Sequence, residues 1–177
     1  MPTVFIRPKK GAFVMPSTCV ARDGETRIIR VQRQLLSPNR LKNSWALYAE
    51  RKDWTRIFEM TLALSEGFFS VEGWRMEKQV APPSTRMHIH LRRECPSVRN
   101  YIQDAIDNRA YAFKPILDAL KHVRLIADDK ERWVTGDPLE QVVSADGQWW
   151  TEIRVTPAGP PLPLAPKKRT PKKARVA

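Results

Sequence analysis

Arg86-Met-His-Ile-His-Leu-Arg-Arg93 is the stretch whose reading decides the fold. Met87, Ile89 and Leu91 alternate with His88, His90 and Arg92, the period-2 pattern of a strand with one dry face and one wet face. Such a strand needs partners beside it and a cover over its apolar side. Working outward, 3–7, 27–35, 70–78 and Trp149–Val155 also read as strands, and Pro82-Pro83 breaks the chain between two of them. Ser37-Pro38-Asn39 is a second breaker, after which Trp45, Tyr48, Ala49, Trp54, Ile57, Phe58, Thr61 and Leu62 recur at helical spacing. Ser44 is placed to cap that helix and Gly67 to end it. A second helix is expected from about Asn108 to Lys121, and Asp146-Gly147 marks a turn before the last strand. The order of strands, helix, strands, helix and strand specifies an α/β (α+β) class: a small mixed β-sheet with two main helices packed on it.

The chain has 177 residues, enough to bury a core, and 42% of them are hydrophobic. Its formal charge is +12, from 31 Lys+Arg against 19 Asp+Glu, which points to a polyanionic partner. No apolar run reaches the ~20 residues of a membrane span or resembles a signal peptide, so a cytoplasmic protein is expected. Cys19 and Cys95 lie far apart without a Cys-x-x-Cys pattern and read as idle thiols. Residues 157–177 hold six prolines and six basic residues (Lys167, Lys168, Arg169, Lys172, Lys173 and Arg175) with no acid. They are expected to form a disordered tail that grips nucleic acid in a salt-sensitive way, leaving 1–156 as the folded domain at 12 − 6 = +6.

Against this basic background, acids gather in one region: Asp107-Asn108, Asp118 and the pair Asp128-Asp129, with Lys114 among them. At ~100° per residue, Lys114 and Asp118 fall within about 20° of Asp107 on either side, an axial stripe opposite Ile116, Leu117, Leu120 and Val123. Pro115 suits a first helical turn better than an interior; a helix beginning there would leave 108–113 as a loop. Taken singly, each residue has an ordinary explanation. Asp107 or Asn108 caps a helix, Lys114 and Asp118 form an i, i+4 pair, and Asp128-Asp129 is a turn. Taken together, they offer carboxylates from two segments, the minimum for holding Mg²⁺, and a lysine beside them to face a phosphate. His88 and His90 share a strand face but lack a third ligand, so they read as ordinary half-exposed residues. Arg51, Lys52 and Arg56 sit among the polar positions of the first helix and read first as charges that solvate it, with DNA contact as the lesser alternative.

The run Asp107-Asn108-Arg-Ala-Tyr-Ala-Phe-Lys114-Pro115-Ile-Leu-Asp118-Ala-Leu120, followed by Leu125-Ile126-Ala-Asp128-Asp129, resembles the RusA family of Holliday junction resolvases. Ser37-Pro38-Asn39 and the helix after it look like that family's N-terminal segment, so the resemblance spans about 30–156. It implies a homodimer that nicks four-way branched DNA in pairs of cuts with Mg²⁺ or Mn²⁺. Asp107, Lys114 and Asp129 would be catalytic, and Asp107, Asp129 and Asp104 would hold the metal. Asp128, Asp118, Asp104 and Asn108 would support them, while Lys114, Arg109, Arg40, Lys42 and the tail lysines and arginine would contact DNA. Three features depart from the family pattern. Ala105 stands where an Asp is usual, with Asp104 one residue earlier; the Asp-to-Lys spacing is longer; and Arg124 replaces a Gly before Leu125.

The alternative is a DNA- or RNA-binding protein of the same fold without cleavage, which Ala105 favours. A restriction-type core has only fragments in Glu50-Arg-Lys52 and Glu77-Lys78, with no Pro-Asp before them, and no phosphate-cradling Gly-x-x-x-x-Gly-Lys loop exists.

Overall fold

The computed structural model describes residues 15–36, 44–66, 83–102 and 106–163, with the backbone only at 44, 64–66 and 106–113. The expected strands at 3–7 and 70–78 lie outside these residues. The described residues form strands β1 (Thr18–Asp23), β2 (Thr26–Val31), β3 (Met87–Cys95), β4 (Val134–Gly136), β5 (Glu140–Val143) and β6 (Trp150–Pro157), with helices α1 (Ser44–Glu66) and α2 (Ile106–His122). They make one mixed sheet in the order β1-β2-β6-β3-β4, and β5 also pairs with β3. This is the α+β class that the pattern specifies.

β3 is the central strand. On one side it runs antiparallel to β6; on the other it is parallel to β4 over Met87–Ile89 and to β5 over Arg92–Cys95. Asp137-Pro138-Leu139 interrupts that second edge, because Pro138 has no N–H to give a ladder, and Leu139 drops into the core instead. Gly136 is required there: a Cβ would stand 2.7 Å from the Ile89 carbonyl oxygen.

The register aligns Ile29 with Ile153 and Ile153 with Leu91, and sets Val155 beside Ile89. All five are buried, under Trp54, Ile57, Phe58 and Leu62 of α1 and Ile116, Ala119 and Leu120 of α2. On the outer side of the same strands, Arg30 meets Glu94 at 2.6 Å and Arg154 meets Glu152 at 2.8 Å. His88 and His90 lie there too, held by Asp137 at 2.9 Å and Glu140 at 3.3 Å. The wet face is therefore an ion-pair lattice.

Several elements differ from expectation. The polar stretch before residue 27 contains β1, joined to β2 through Gly24-Glu25 with Gly24 at φ +57°. An Asp-Gly step before a β-branched run is a hairpin signal, and it was present at Asp23-Gly24. β2 ends at Val31, four residues before the expected end at 35, although Leu35 is still buried. β4 and β5 have no counterpart in the reading, being too short to show a period. In α1, Trp45, Tyr48 and Ala49 belong to the outward side rather than to the apolar stripe: Trp45 is 79% exposed. Beyond residue 156, Ala158 N–H donates to the Arg86 carbonyl at 2.7 Å and Leu162 N–H to that of Arg132 at 3.1 Å. The described backbone thus remains tied to the domain past the expected start of the tail; residues 164–177, with Lys167, Lys168, Arg169, Lys172 and Lys173, lie outside the described residues.

Candidate functional site

α2 runs unbroken through Pro115, so Asp107 falls in its first turn and not at its cap, and 108–113 are helical. Proline in a helix interior removes one i→i−4 hydrogen bond, here the one to the carbonyl of residue 111. Pro115 itself is buried. Asp107, Lys114 and Asp118 accordingly keep their axial relation, with Asp107 and Lys114 about 10 Å apart along the axis.

The end of α2 decides where the second acidic segment goes. Arg124 adopts φ +61°, the left-handed conformation that glycine takes most easily. Leu125 N–H reaches back to the Leu120 carbonyl at 2.9 Å and Arg124 N–H to that of Lys121 at 3.1 Å. This pair of bonds is a Schellman motif, and its two apolar members, Leu120 and Leu125, are both buried. Arg124 is thus the position of this turn that needs a left-handed residue. The reversal carries Leu125 and Ile126 into the core and brings Asp128-Asp129 back beside the α2 stripe.

There Lys114 hydrogen-bonds Asp129 and lies 3.0 Å from Asp118 Oδ1. Lys121 hydrogen-bonds Asp128 and stands 3.6 Å from Asp129 Oδ1. Lys130 closes on Asp128 at 3.1 Å, and Arg51 of α1 approaches Asp118 at 4.0 Å. The Asp129 amide donates to Asp128 Oδ1 at 3.0 Å. The three carboxylates retain about a fifth of their side-chain surface in water, so they are screened but reachable.

The charges reinforce one another. The hydrogen bond to Asp129 raises the Lys114 pKa, outweighing the opposing pull of partial burial, and Asp118 adds to the rise. Lys121 is raised in the same way, chiefly by Asp128. Lys121 and Lys130 hold the Asp128 carboxyl well below the ordinary carboxylate range. Lys114 is therefore a fixed positive charge at neutral pH, suited to facing an anion and unsuited to accepting a proton.

Lys114, Asp118, Asp128 and Asp129 are brought together as the stripe argument expects. The side chains of Asp107, Asn108 and Arg109 lie outside the described residues, as do Asp104, Arg40 and Lys42 entirely. Sequence reasoning missed Lys121, Lys130 and Arg51. Lys121 was legible: it follows Lys114 by seven residues and falls about 20° from it on the helix. Lys130 and Arg51 enter only through the turn and through the packing of α1 on α2.

No family model matches this chain, and no curated protein matches it. Among the described residues, no group of three or more His, Cys, Asp and Glu side chains is placed to hold a metal ion, and no helix is long and apolar enough to cross a membrane.

Proposed function

We propose that this chain is a metal-dependent, structure-selective DNA endonuclease of the RusA type, resolving four-way junctions by paired nicks. The observation that carries the reading is the return of Asp128-Asp129 onto the α2 stripe at Lys114, Asp118 and Lys121. Oxygen-only donors from two segments suit a hard divalent cation such as Mg²⁺ or Mn²⁺, which keeps several waters of its own. Asp129 and Asp107 would hold it with help from Asp104, and Asp128 and Asp118 would support them. Such an ion, when bound, makes water more acidic and stabilises charge on a phosphodiester.

The chain's own groups do the rest. Lys114, protonated at neutral pH, turns from Asp129 toward the scissile phosphate and neutralises charge that builds on it. Lys121 and Lys130 keep Asp128 ionised and directed inward. Two opposed strands must be cut, and a two-fold pair of chains supplies the two sites. The net charge of +12 favours encounter with the branched polyanion.

The test is incubation of the full chain with a labelled synthetic four-way junction in Mg²⁺ or Mn²⁺, with linear duplex as control. Symmetric nicks on the junction, lost in Asp129→Asn while junction binding persists, are the expected result. Absence of nicks in both metals overturns it.

A second reading is favoured by a specific observation: lysines already neutralise every described carboxylate of the cluster. In that reading the lysines are the resident counter-ions, and the fold grips DNA or RNA without cutting. Binding with no nicking in either metal selects it.

A further inference from the structure

Resting on the nucleic-acid reading above, we infer that the outward side of α1 is a strand-guiding surface. Its arginine and lysine hold the phosphodiester backbone, and Trp45 stacks on a base exposed at a branch or in a single strand.

Taking α1 at ~100° per residue, positions 45, 48, 51, 52, 55, 56 and 59 fall within about 140° of one another. Trp54, Ile57 and Phe58 occupy the opposite side, fully buried. The helix thus has a complete apolar face without Trp45 and Tyr48. Both nevertheless stand in water, 79% and 44% exposed, with ring centroids 6.4 Å apart in an edge-to-face arrangement. Large aromatics gathered in the open mark a binding surface more often than a folding need.

Cations accompany them. Arg51 Cζ lies 5.4 Å and Lys52 Nζ 5.3 Å from the Tyr48 ring centroid. A groove of about 580 Å³ runs from Tyr48 along Arg51, Lys52 and Arg56 to Lys121 and His122 of α2. Its two acids are engaged: Glu59 with His122 at 2.9 Å, and Asp118 with Lys114 at 3.0 Å. By formal charge the lining carries four permanent cations (Arg51, Lys52, Arg56 and Lys121) against two carboxylates. Although Lys121 is also paired with Asp128 and Arg51 lies 4.0 Å from Asp118, the groove keeps a positive balance. Phosphates balance that charge, and a flat base can stack on the exposed Trp45 ring beside Tyr48; a peptide of ordinary composition offers neither together.

The groove also has direction. Asp118 and Lys121 line it and belong to the acidic cluster as well. A strand laid along α1 therefore arrives at the candidate active site. From Trp45 to Arg56 the helix rises about 16 Å, the length of roughly five nucleotides at 3.4 Å each. That is within the span that one small single-strand-binding surface covers. From sequence alone Arg51, Lys52 and Arg56 read first as charges solvating the helix and only second as DNA contacts; the groove and the exposed ring pair favour the second role.

The deciding measurement is fluorescence anisotropy of a labelled four-way junction and a labelled single strand, with the full chain in EDTA so that nothing is cut. Trp45→Ala is expected to weaken both complexes about tenfold, and Trp45→Phe to recover most of the loss. Arg51→Gln/Lys52→Gln is expected to reduce the slope of log K against log salt by about two. Circular dichroism melts, unchanged for these exposed positions, exclude unfolding as the cause. Full affinity in Trp45→Ala together with an unchanged salt slope in the double variant overturns the proposal. The two readings separate cleanly. A chain that binds through α1 and never nicks keeps this surface and removes the nuclease; a chain that nicks normally while the α1 variants bind at full strength does the reverse.

Discussion

Two groups of ion pairs in this molecule use the same chemistry in opposite settings. Beneath α1, Arg33 Nη2 donates to Glu50 at 2.8 Å and to Asp53 at 3.0 Å, and Trp54 Nε1 donates to the other oxygen of Glu50 at 2.8 Å. Glu50 is 5% exposed, and it holds Arg33 together with Trp54, a fully buried member of the core. Burial lowers the Arg33 pKa, but Glu50 and Asp53 outweigh it and the net shift is upward. Where the turn after α2 folds back on that helix, Lys114, Lys121 and Lys130 meet Asp118, Asp128 and Asp129 with much of each lysine in water. The first group is fastened, because opening it would strand a charge away from solvent. The second is exchangeable, because water or another cation can replace each lysine at little cost. The site proposed above to accept an ion and a phosphate would need the second kind.

The largest expected effect breaks that comparison at its functional end. Asp129→Asn should lower junction cleavage by about a hundredfold or more, while leaving unfolding free energy within ~0.5 kcal/mol. Single-turnover nicking assays and urea titrations of the same preparations check both halves. If stability falls and activity merely follows it, the cluster is a fastening like the first group.

At the other end, Glu50→Ala should cost about 3 kcal/mol, because the Arg33 guanidinium and the Trp54 N–H lose their shared acceptor. The urea midpoint reads this directly. Glu50→Gln keeps the Trp54 acceptor and should lie between the variant and the wild type.

A smaller effect of opposite sign is expected at the turn that joins α2 to Asp128. Arg124→Gly removes the side-chain clash of a left-handed residue and should stabilise the fold by about 1 kcal/mol, seen as a higher Tm. A lower Tm would mean that the interactions of the Arg124 side chain outweigh its backbone strain.

The smallest is a pH effect at a third acid. Ser144, the Gln148 amide and the Trp150 indole hold Asp146 down to about 2 from an ordinary 3.8. Since its folded value lies below its unfolded one, its contribution is complete above about pH 4 and is lost as the pH falls toward 2. Acid titration of Asp146→Ala against wild type should therefore show curves that converge at low pH and part above pH 4.

Much of the site was legible for a simple reason: helical phase is a local property. Lys114, Asp118 and Lys121 share a stripe whatever surrounds them, and Pro115 bends the reading only if the helix is assumed to break there. The alternation of Met87 to Arg92 fixed a half-wet strand in the same way. What escaped was set by packing. β4 and β5 are strands because β3 offers an open edge to them, and Arg93, in phase with Met87, Ile89 and Leu91, is tolerated on the buried side because carbonyls of Leu35 and Asn100 and the Gln141 side chain surround its guanidinium. Trp45 and Tyr48 recur at three- and four-residue steps, but at ~100° per residue they fall opposite Trp54, Ile57 and Phe58, and it is that second side which the core buries.

Composition and periodicity by themselves determined a basic α+β protein with an acidic stripe on its second helix, since charge and phase are written residue by residue. Only the tertiary structure decided that Asp128 and Asp129 fold back onto that stripe, and that α1 turns two aromatic rings and its cations to water. The first depends on the Schellman reversal at Arg124, the second on which face of α1 the sheet could bury, and both are choices made by contacts far apart in the chain.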